Sequence, residues 1–209
     1  MNKSNMILIG AGGHARACID VIEQHGQYHI AGLVGRHEEM ETQHHGYDVI
    51  ATDADMPRLA EDYEFALVAV GQIDSPATRI RLYQHALELD LILPSIVAPT
   101  AHVATHASVG AGTIVMHGAI INAGARVGKN CIINSTALIE HDAVVGDHCH
   151  ISTGAIVNGS VSIGSGSFVG SGAVIKDGIA IGKNCVIGLG VCVRKDQPDN
   201  SKFTGHNKS

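Results

Sequence analysis

The 209-residue chain has little aromatic mass: four Tyr, three Phe and no Trp, beside a hydrophobic fraction of 45%. Aromatic rings are the bulkiest filler of an ordinary core, so an apolar interior here must be built from Val, Ile, Leu and Ala. The shortage excludes single-stranded nucleic acid held on stacked rings. A net charge of −6 and a pI near 6.1 argue against a phosphate-backbone partner. Charged residues make up 16%, too few for disorder at this hydrophobicity. No apolar run reaches the roughly 18 residues of a membrane-crossing helix. The start, Met1-Asn2-Lys3-Ser4-Asn5-Met6, lacks a signal-peptide core. The expectation is a cytoplasmic protein without membrane insertion. Cys18, Cys131, Cys149, Cys185 and Cys192 form no CxxC pair and read as buried thiols in a reducing compartment.

What is abundant is a repeat. Every sixth residue from Val97 to Val193 is Val or Ile, without a slip. Four residues after each lies a second column, mostly small: Ala101, Ala107, Thr113, Ala119, Ala125, Cys131, Ala137 and onward. The residue after each Val or Ile is often Gly or Asn (Gly110, Asn122, Gly128, Asn134, Gly146), types that tolerate turns and left-handed backbone. A β-branched residue pointing inward, a small residue where the interior narrows and a turn in each hexad describe a β-solenoid. Three hexads close one triangular coil of 18 residues, so residues 97–193 give about 5.4 coils rising about 26 Å. Phe168 precedes an inward position and is expected to point out. Cys131, Cys149 and Cys185 fall in the small column and read as spacers. The pattern resembles the hexapeptide-repeat family, whose fold is the left-handed parallel β-helix. That resemblance implies an acyl-CoA-dependent acyltransferase acting as a trimer, with sites between neighbouring prisms.

Residues 1–96 read differently. Met6-Ile7-Leu8-Ile9 is a buried strand, followed by Gly10-Ala11-Gly12-Gly13-His14-Ala15 and a helical pattern through Ile19, Val21 and Ile22. Tyr28 to Val34 and Phe65 to Val70 read as strands, Ser75 to Leu89 as a helix, and Leu91 to Leu93 as a last strand before Pro94. The alternation indicates a parallel sheet with crossover helices. Gly10-x-Gly12-x-x-Ala15 after a strand matches the phosphate-binding turn of Rossmann-like domains, where glycine lets the backbone approach a pyrophosphate at a helix N-terminus; a plain tight turn is the other reading. Such a domain needs an acidic ribose ligand roughly 20 residues on, yet the second strand ends Val34-Gly35-Arg36, with no carboxylate before Glu38. About 95 residues suffice for one mononucleotide half, not two. An NAD-dependent dehydrogenase is therefore disfavoured, and a nucleotide-sugar or other phosphorylated sugar fits better. The expected architecture is an α/β Rossmann-like half-domain (1–96), an all-β left-handed parallel β-helix (97–193) and a C-terminal tail (194–209).

Charge is scarce in the repeat segment, and functional side chains crowd Ile139-Glu140-His141-Asp142-Ala143 to His148-Cys149-His150. With Ile139 and Ala143 inward, His141 falls at an outward corner, where a neighbouring subunit can complete a cleft. Acyl transfer from a thioester needs a base for the attacking amine or hydroxyl, donors near the carbonyl oxygen and a carboxylate that fixes the base's tautomer.

The Gly10–His14 loop, Asn134-Ser135-Thr136-Ala137-Leu138-Ile139-Glu140-His141-Asp142 and His150-Ile151-Ser152 together resemble the NeuD/PglD sugar acetyltransferase family over essentially the whole chain. The resemblance implies His141 as general base and Asp142 as its orienting carboxylate. Glu140 is a third catalytic candidate or else a surface carboxylate. It implies that Gly10, Gly12, Gly13 and His14 face the sugar nucleotide, and that Asn134 and His150 line the acetyl and acceptor site. Gly159 offers backbone near the thioester, and Gly188, Lys183 and Arg194 are further acetyl-CoA contacts. Gly35-Arg36 stands where such relatives carry paired Asp, so Arg36 could pair with a phosphate or a sugar carboxylate, and Gln72 is a substrate contact. The end, Gly205-His206-Asn207-Lys208-Ser209, lacks the Pro of the relatives' last CoA contacts.

The implied activity is acetyl transfer from acetyl-CoA to the amine of a nucleotide-linked amino sugar (UDP-4-amino-4,6-dideoxy-GlcNAc type) in surface-glycan biosynthesis, by a homotrimer and with no metal. O-acetylation of a sialic-acid-like sugar is the alternative. A γ-carbonic-anhydrase-like metalloenzyme built on His141, His148 and His150, and a non-catalytic scaffold trimer, are remote alternatives.

Overall fold

The computed structural model describes residues 3–205; Met1, Asn2 and the tail residues 206–209 singled out above lie outside the described residues. The N-terminal part runs β1 (Ser4–Ile9), α1 (Gly13–His25), β2 (Tyr28–Gly35), β3 (Gln43–His44), β4 (Tyr47–Thr52), α2 (Met56–Asp62), β5 (Phe65–Val68) and α3 (Ala77–Glu88). The sheet order is β3-β4-β2-β1-β5, parallel except for the β3–β4 hairpin. Met6 to Ile9 are all fully buried, as a central strand covered on both faces requires. In α1, Ala15, Cys18, Ile19 and Ile22 form the buried stripe, at the spacing of one helix face. Gly26, in the left-handed conformation, ends that helix by donating its N–H to the Ile22 carbonyl.

Three expectations for this part need correction. Leu91 to Leu93 form no strand. Only an isolated bridge between Phe65 and Ile92 forms, because Pro94 follows at once and cannot continue a ladder. The third strand ends at Val68 rather than Val70, and its helix spans Ala77–Glu88. Strand β4 and helix α2 were not anticipated; Tyr47-Asp48-Val49-Ile50-Ala51-Thr52 is too short and too mixed to stand out.

From Ile96 onward the chain is a left-handed parallel β-helix of two-residue strands. Its three faces are a seven-stranded sheet from Ile96–Val97 to Lys202–Phe203, a six-stranded one from His102–Val103 to Cys192–Val193, and a five-stranded one from Ser108–Val109 to Ala180–Ile181. They are called the docked, second and third faces below. Val97, Val115, Ile133, Ile151, Val169 and Ile187 lie in register one coil apart. The expected inward column is buried from Val115 on. The last turn is shorter: Ile187 pairs with Phe203, so an aromatic ring enters only at the open end of the prism.

The residues after the β-branched column are not the left-handed ones. Positive φ falls two residues further on, at Gly124, Asn130, Thr136, Asp142, His148 and Gly154. Glycine at the earlier position has a steric cause. A Cβ on Gly110 would lie 2.6 Å from the Gly128 carbonyl carbon, and one on Gly170 would lie 2.6 Å from that of Gly188. At those glycines successive coils stack too closely for a side chain, whereas Asn134 and Ser152, on the same corner as Gly170, carry one.

The small column also divides by corner. Between the third and docked faces it reads Thr113, Cys131, Cys149, Ser167, Cys185. Each of these donates to a carbonyl in the coil ahead: Thr113 Oγ1 to Gly128 (2.8 Å), Cys131 Sγ to Gly146 (3.1 Å), Cys149 Sγ to Gly164 (3.3 Å), Ser167 Oγ to Gly182 (2.8 Å) and Cys185 Sγ to Pro198 (3.1 Å). A buried carbonyl needs a donor, which alanine cannot supply. The spacer reading of these cysteines therefore covers their size but not their chemistry. Cys192, by contrast, is exposed; it sits at an outward strand position, which corrects the expectation that all five thiols are buried.

Docking of the two parts follows from the outward row of the docked face. Ile96, Ile114 and Ile132 share one buried cluster with Ile19 and Ile22 of α1. One coil further, the row changes to His150 and then Phe168, and there the apolar interface gives way to a polar site.

Candidate active site

Two groups of side chains stand out, on different corners of the prism. The first lies where the α/β part meets the docked face. His150 Nδ1–H donates to the Gln72 carbonyl (2.6 Å), which leaves Nε2 to accept from Asn134 Nδ2 (3.2 Å). Phe168 meets the imidazole edge-on at 5.2 Å, and the His14 ring centroid lies 6.5 Å away. His14, in the first turn of α1, contacts Cys18 Sγ at 3.4 Å. Gln72 is buried and donates Nε2–H to the Gly166 carbonyl (3.0 Å), while its Oε1 has no partner. The structure thus brings together His14, Gln72, Asn134 and His150 from segments far apart in the chain.

Both histidines are held neutral. Burial, aided by the charge of Arg79 and by His150, lowers the His14 pKa to about 3. Burial also lowers that of His150 to about 4, against the raising effect of the Gln72 carbonyl. An unfolded histidine titrates near 6.5, so the folded state binds fewer protons. Stability is full above about pH 6.5 and is lost as pH falls towards 4 and then 3. Urea melts at pH 7.5 and pH 5 should differ by about 1–2 kcal/mol for each histidine. Equal midpoints at the two pH values would contradict this.

Next to this group, a cleft of about 280 Å³ opens at the carboxyl ends of β1, β2 and β4, lined by Gly10, Gly12, Gly35, Arg36, Asp53 and Arg81 among others. This is where parallel α/β sheets take ligands. The three glycines of the turn differ in kind. Gly10, at φ 129, is closed by Val70 and Ala69, so its role is packing. A Cβ on Gly12 or Gly13 would meet nothing within 4 Å, so packing closes neither position, and the start of α1, where a helix N-terminus favours an anion, lies open beside them. Gly35 has no room for a side chain, since its Cβ would lie 2.8 Å from Val49 Cγ1. The carboxylates of the cleft instead come from Glu39, which accepts from the Arg36 N–H (2.8 Å), and Asp53, which pairs with Arg81 (2.8 Å). Arg36 itself pairs with Glu38 and Glu39 at the surface. Glu39, Asp53 and Arg81 were not singled out from the sequence. Recognising β4 would have drawn attention to Asp53, the residue that follows it.

The second group is one corner on, between the second and third faces. His141 Nδ1–H donates to Asp142 Oδ2 (3.0 Å), leaving Nε2 unprotonated and facing outward. Asp142 can reach back because it adopts φ 59, a conformation that Asp tolerates better than most residues. The hydrogen bond to Asp142 raises the His141 pKa, and the charges of Glu140 and Asp177 add to this. Glu140 accepts from Asn122 Nδ2 (3.0 Å) and from the His141 N–H (3.2 Å), so it braces the corner. The imidazole lies directly over Gly159 of the next coil: a Cβ there would sit 2.7 Å from Nε2. Below it, Asn158, Lys176, Asp177, Cys192 and Arg194 line a groove of about 500 Å³.

The remaining predicted contacts are dispersed. Gly188 lies on the corner between the docked and second faces, and Lys183 on the corner between the third and docked faces. Arg194 lies on the His141 corner. One chain alone does not gather them around a single groove. His148 packs against Tyr83 and accepts from Asn130. His141, His148 and His150 therefore occupy two different corners and the docked face, and they do not converge as three ligands of one ion.

Residues 5–86 match the model of the PglD N-terminal domain, and residues 160–195 that of the hexapeptide repeat of succinyl-transferase. Among solved structures the chain is similar to a histidine-to-asparagine variant of perosamine N-acetyltransferase from Caulobacter crescentus in complex with CoA and GDP-perosamine, with 30% identity, 99% of this chain and 96% of that chain covered, and a TM-score of 0.92. PerB from the same organism, also with CoA and GDP-perosamine, gives 31% identity over 94% of this chain and 91% of that chain, with a TM-score of 0.88. The acetyltransferase domain of PglB from Neisseria gonorrhoeae, in complex with acetyl coenzyme A, gives 28% identity, 98% and 97% coverage, and a TM-score of 0.89. Comparison with curated protein sequences gave no match.

Proposed function

The chain belongs to the NeuD/PglD-like family of hexapeptide-repeat sugar acetyltransferases and is an acetyl-CoA-dependent amino-sugar N-acetyltransferase; we propose that its acceptor is the amine of a nucleoside-diphosphate-linked sugar and that it works as a homotrimer. The observation that carries the reading is the His141–Asp142 pair, hydrogen-bonded and exposed on a corner that no other described residue covers.

In this reading the free amine attacks the thioester carbonyl while His141 Nε2 takes its proton. Asp142 holds the other nitrogen and stabilises the imidazolium. The Gly159 N–H, which no acceptor takes among the described residues, faces the developing oxyanion. Collapse of the tetrahedral intermediate breaks the C–S bond, and the CoA thiolate recovers the proton from His141. The groove beneath, with Lys176 and Arg194, suits the phosphates of CoA. The diphosphate of the sugar lies at the start of α1, and the sugar reaches towards His14, Asn134 and His150.

The same geometry supports the assembly. His141 stands one corner away from the acceptor group of its own chain, so a second chain brings the two together. The outward row of the second face, Ile120, Leu138, Ile156 and Val174, is apolar and open to solvent to varying degrees, and a neighbouring prism would cover it.

The test is release of free CoA with three acceptors in parallel: GDP-perosamine, UDP-4-amino-4,6-dideoxy-N-acetylglucosamine and a free nonulosonic acid. Turnover with at least one nucleotide-linked amine, and none with the nonulosonic acid, is expected. The reverse would replace N-acetylation by O-acetylation.

A further inference from the structure

Arg79, in α3, heads the fully buried side chains by size, at 1% exposure, and none of its hydrogen bonds is to a carboxylate. Its Nη1 donates to the carbonyls of Val68 (3.2 Å) and Val70 (2.5 Å). Its Nη2 donates to the Asn130 carbonyl (2.9 Å) and to Asn130 Oδ1 (2.7 Å), while the Nε–H is buried without a partner. Val68 ends β5, and Val70 opens the segment that leads to Gln72. Asn130 is a left-handed corner residue of the prism, at φ 50. One guanidinium therefore joins the sheet, the loop and the β-helix.

A cation removed from water without a counter-charge costs several kcal/mol. A neutral amide carries two N–H donors and could not span the four acceptors that Nη1 and Nη2 reach, so the fork accounts for the residue and the charge comes with it. Titratable groups surround that charge. His14 and Cys18 face it from α1, and Cys131, His148 and His150 from the prism. Burial lowers the Arg79 pKa only to about 10, so it stays charged at neutral pH. Its field opposes protonation of His14, His148 and His150 alike. Two residues beyond Val70, the Gln72 carbonyl takes the Nδ1–H of His150 and so dictates which nitrogen faces Asn134.

We propose that Arg79 is a positioning residue of the acceptor site: it meets no substrate, but fixes the Val70–Gln72 segment and, through the Gln72 carbonyl, the tautomer in which His150 Nε2 and the Asn134 amide meet the sugar. The proposal rests on the acceptor site described above.

Its test uses the full-length enzyme as Arg79→Gln, Arg79→Lys and Asn130→Asp. Arg79→Gln is expected to raise the acceptor KM by about 10–100-fold while the acetyl-CoA KM stays within about twofold. It should also raise the pH at which His14 and His150 take up a proton by about one unit, followed by titrating nitrogen spectra of histidine-labelled protein, because removing a positive charge eases their protonation. Arg79→Lys keeps the charge but loses the fork, so the His14 and His150 titrations are expected to hold while KM rises. Asn130→Asp gives the guanidinium a carboxylate in a left-handed corner that Asp accepts, and should shift the two histidine titrations in the same direction. It keeps the test open should Arg79→Gln fail to fold. Nitrogen spectra of histidine-labelled protein read the His150 tautomer without turnover: Nδ1–H in the wild type, a mixture in Arg79→Gln. An inactive wild type would count against the acceptor reading and leave the tautomer result standing. An equal rise in both KM values, with unmoved His14 and His150 titrations and an unchanged tautomer, would overturn the proposal.

Discussion

Replacing His141 by Ala is expected to lower kcat by about 10²–10⁴-fold, the range for a lost general base, while the fold and assembly are kept. The side chain is exposed, and among the described residues its ring bonds only to Asp142, so removing it leaves no buried group among them unpaired. The loss should fall on kcat rather than on either KM, since the ring acts on a proton that moves only in the reaction. Asp142→Asn refines the assignment through its pH profile. Asp142 raises the His141 pKa, and the base works only when neutral, so the acid limb follows that pKa. Without the carboxylate the limb should move to lower pH, with a reduced plateau because the imidazole is less basic and its tautomer is no longer held. A His141→Ala enzyme with near-normal kcat in the free-CoA assay would remove it from the mechanism.

The second large effect is expected one coil below. Gly159→Ala should reduce kcat by about 10²-fold, the scale of a 1 Å misplacement of a reacting group. The added methyl would lie 2.7 Å from His141 Nε2 and 2.8 Å from Cε1, so the ring must turn away and the Nδ1–Asp142 bond must break or bend. Gly159 has no left-handed backbone conformation, so alanine fits the chain itself and thermal stability should hold. The loss would then belong to catalysis rather than folding. Wild-type kcat in Gly159→Ala, with the melt unchanged, would show that the ring needs no fixed floor.

Parts of this architecture are legible without coordinates because they arise from local, repeated constraints. A β-branched residue every six positions admits one packing, a three-faced prism, and each hexad repeats the same demand. His141 and Asp142 are adjacent in sequence, so their pairing needs only a turn. The period of 18 also puts Gly159 under His141, and the strand–glycine–helix order of residues 6–25 places the glycine turn proposed to hold the diphosphate. The corners were only partly legible. Which small residues must be hydrogen-bond donors depends on where carbonyls turn inward, and which glycines are sterically closed depends on how tightly coils stack. Neither has a local signature.

The tertiary structure alone decided the proposed acceptor side. His14, Gln72, Asn134 and His150 meet because α1 docks on Ile96, Ile114 and Ile132, and so brings its N-terminal turn level with the next coil. Glu39 and Asp53 supply the carboxylates of the cleft because Gly35 has no space for one. Arg79 looks in sequence like any helix cation, and only its burial between two parts of the fold makes it exceptional. Sequence period fixes what repeats along the chain. Which non-repeating residues meet is set by how one part packs on the other, since that packing depends on the shape of both surfaces at once.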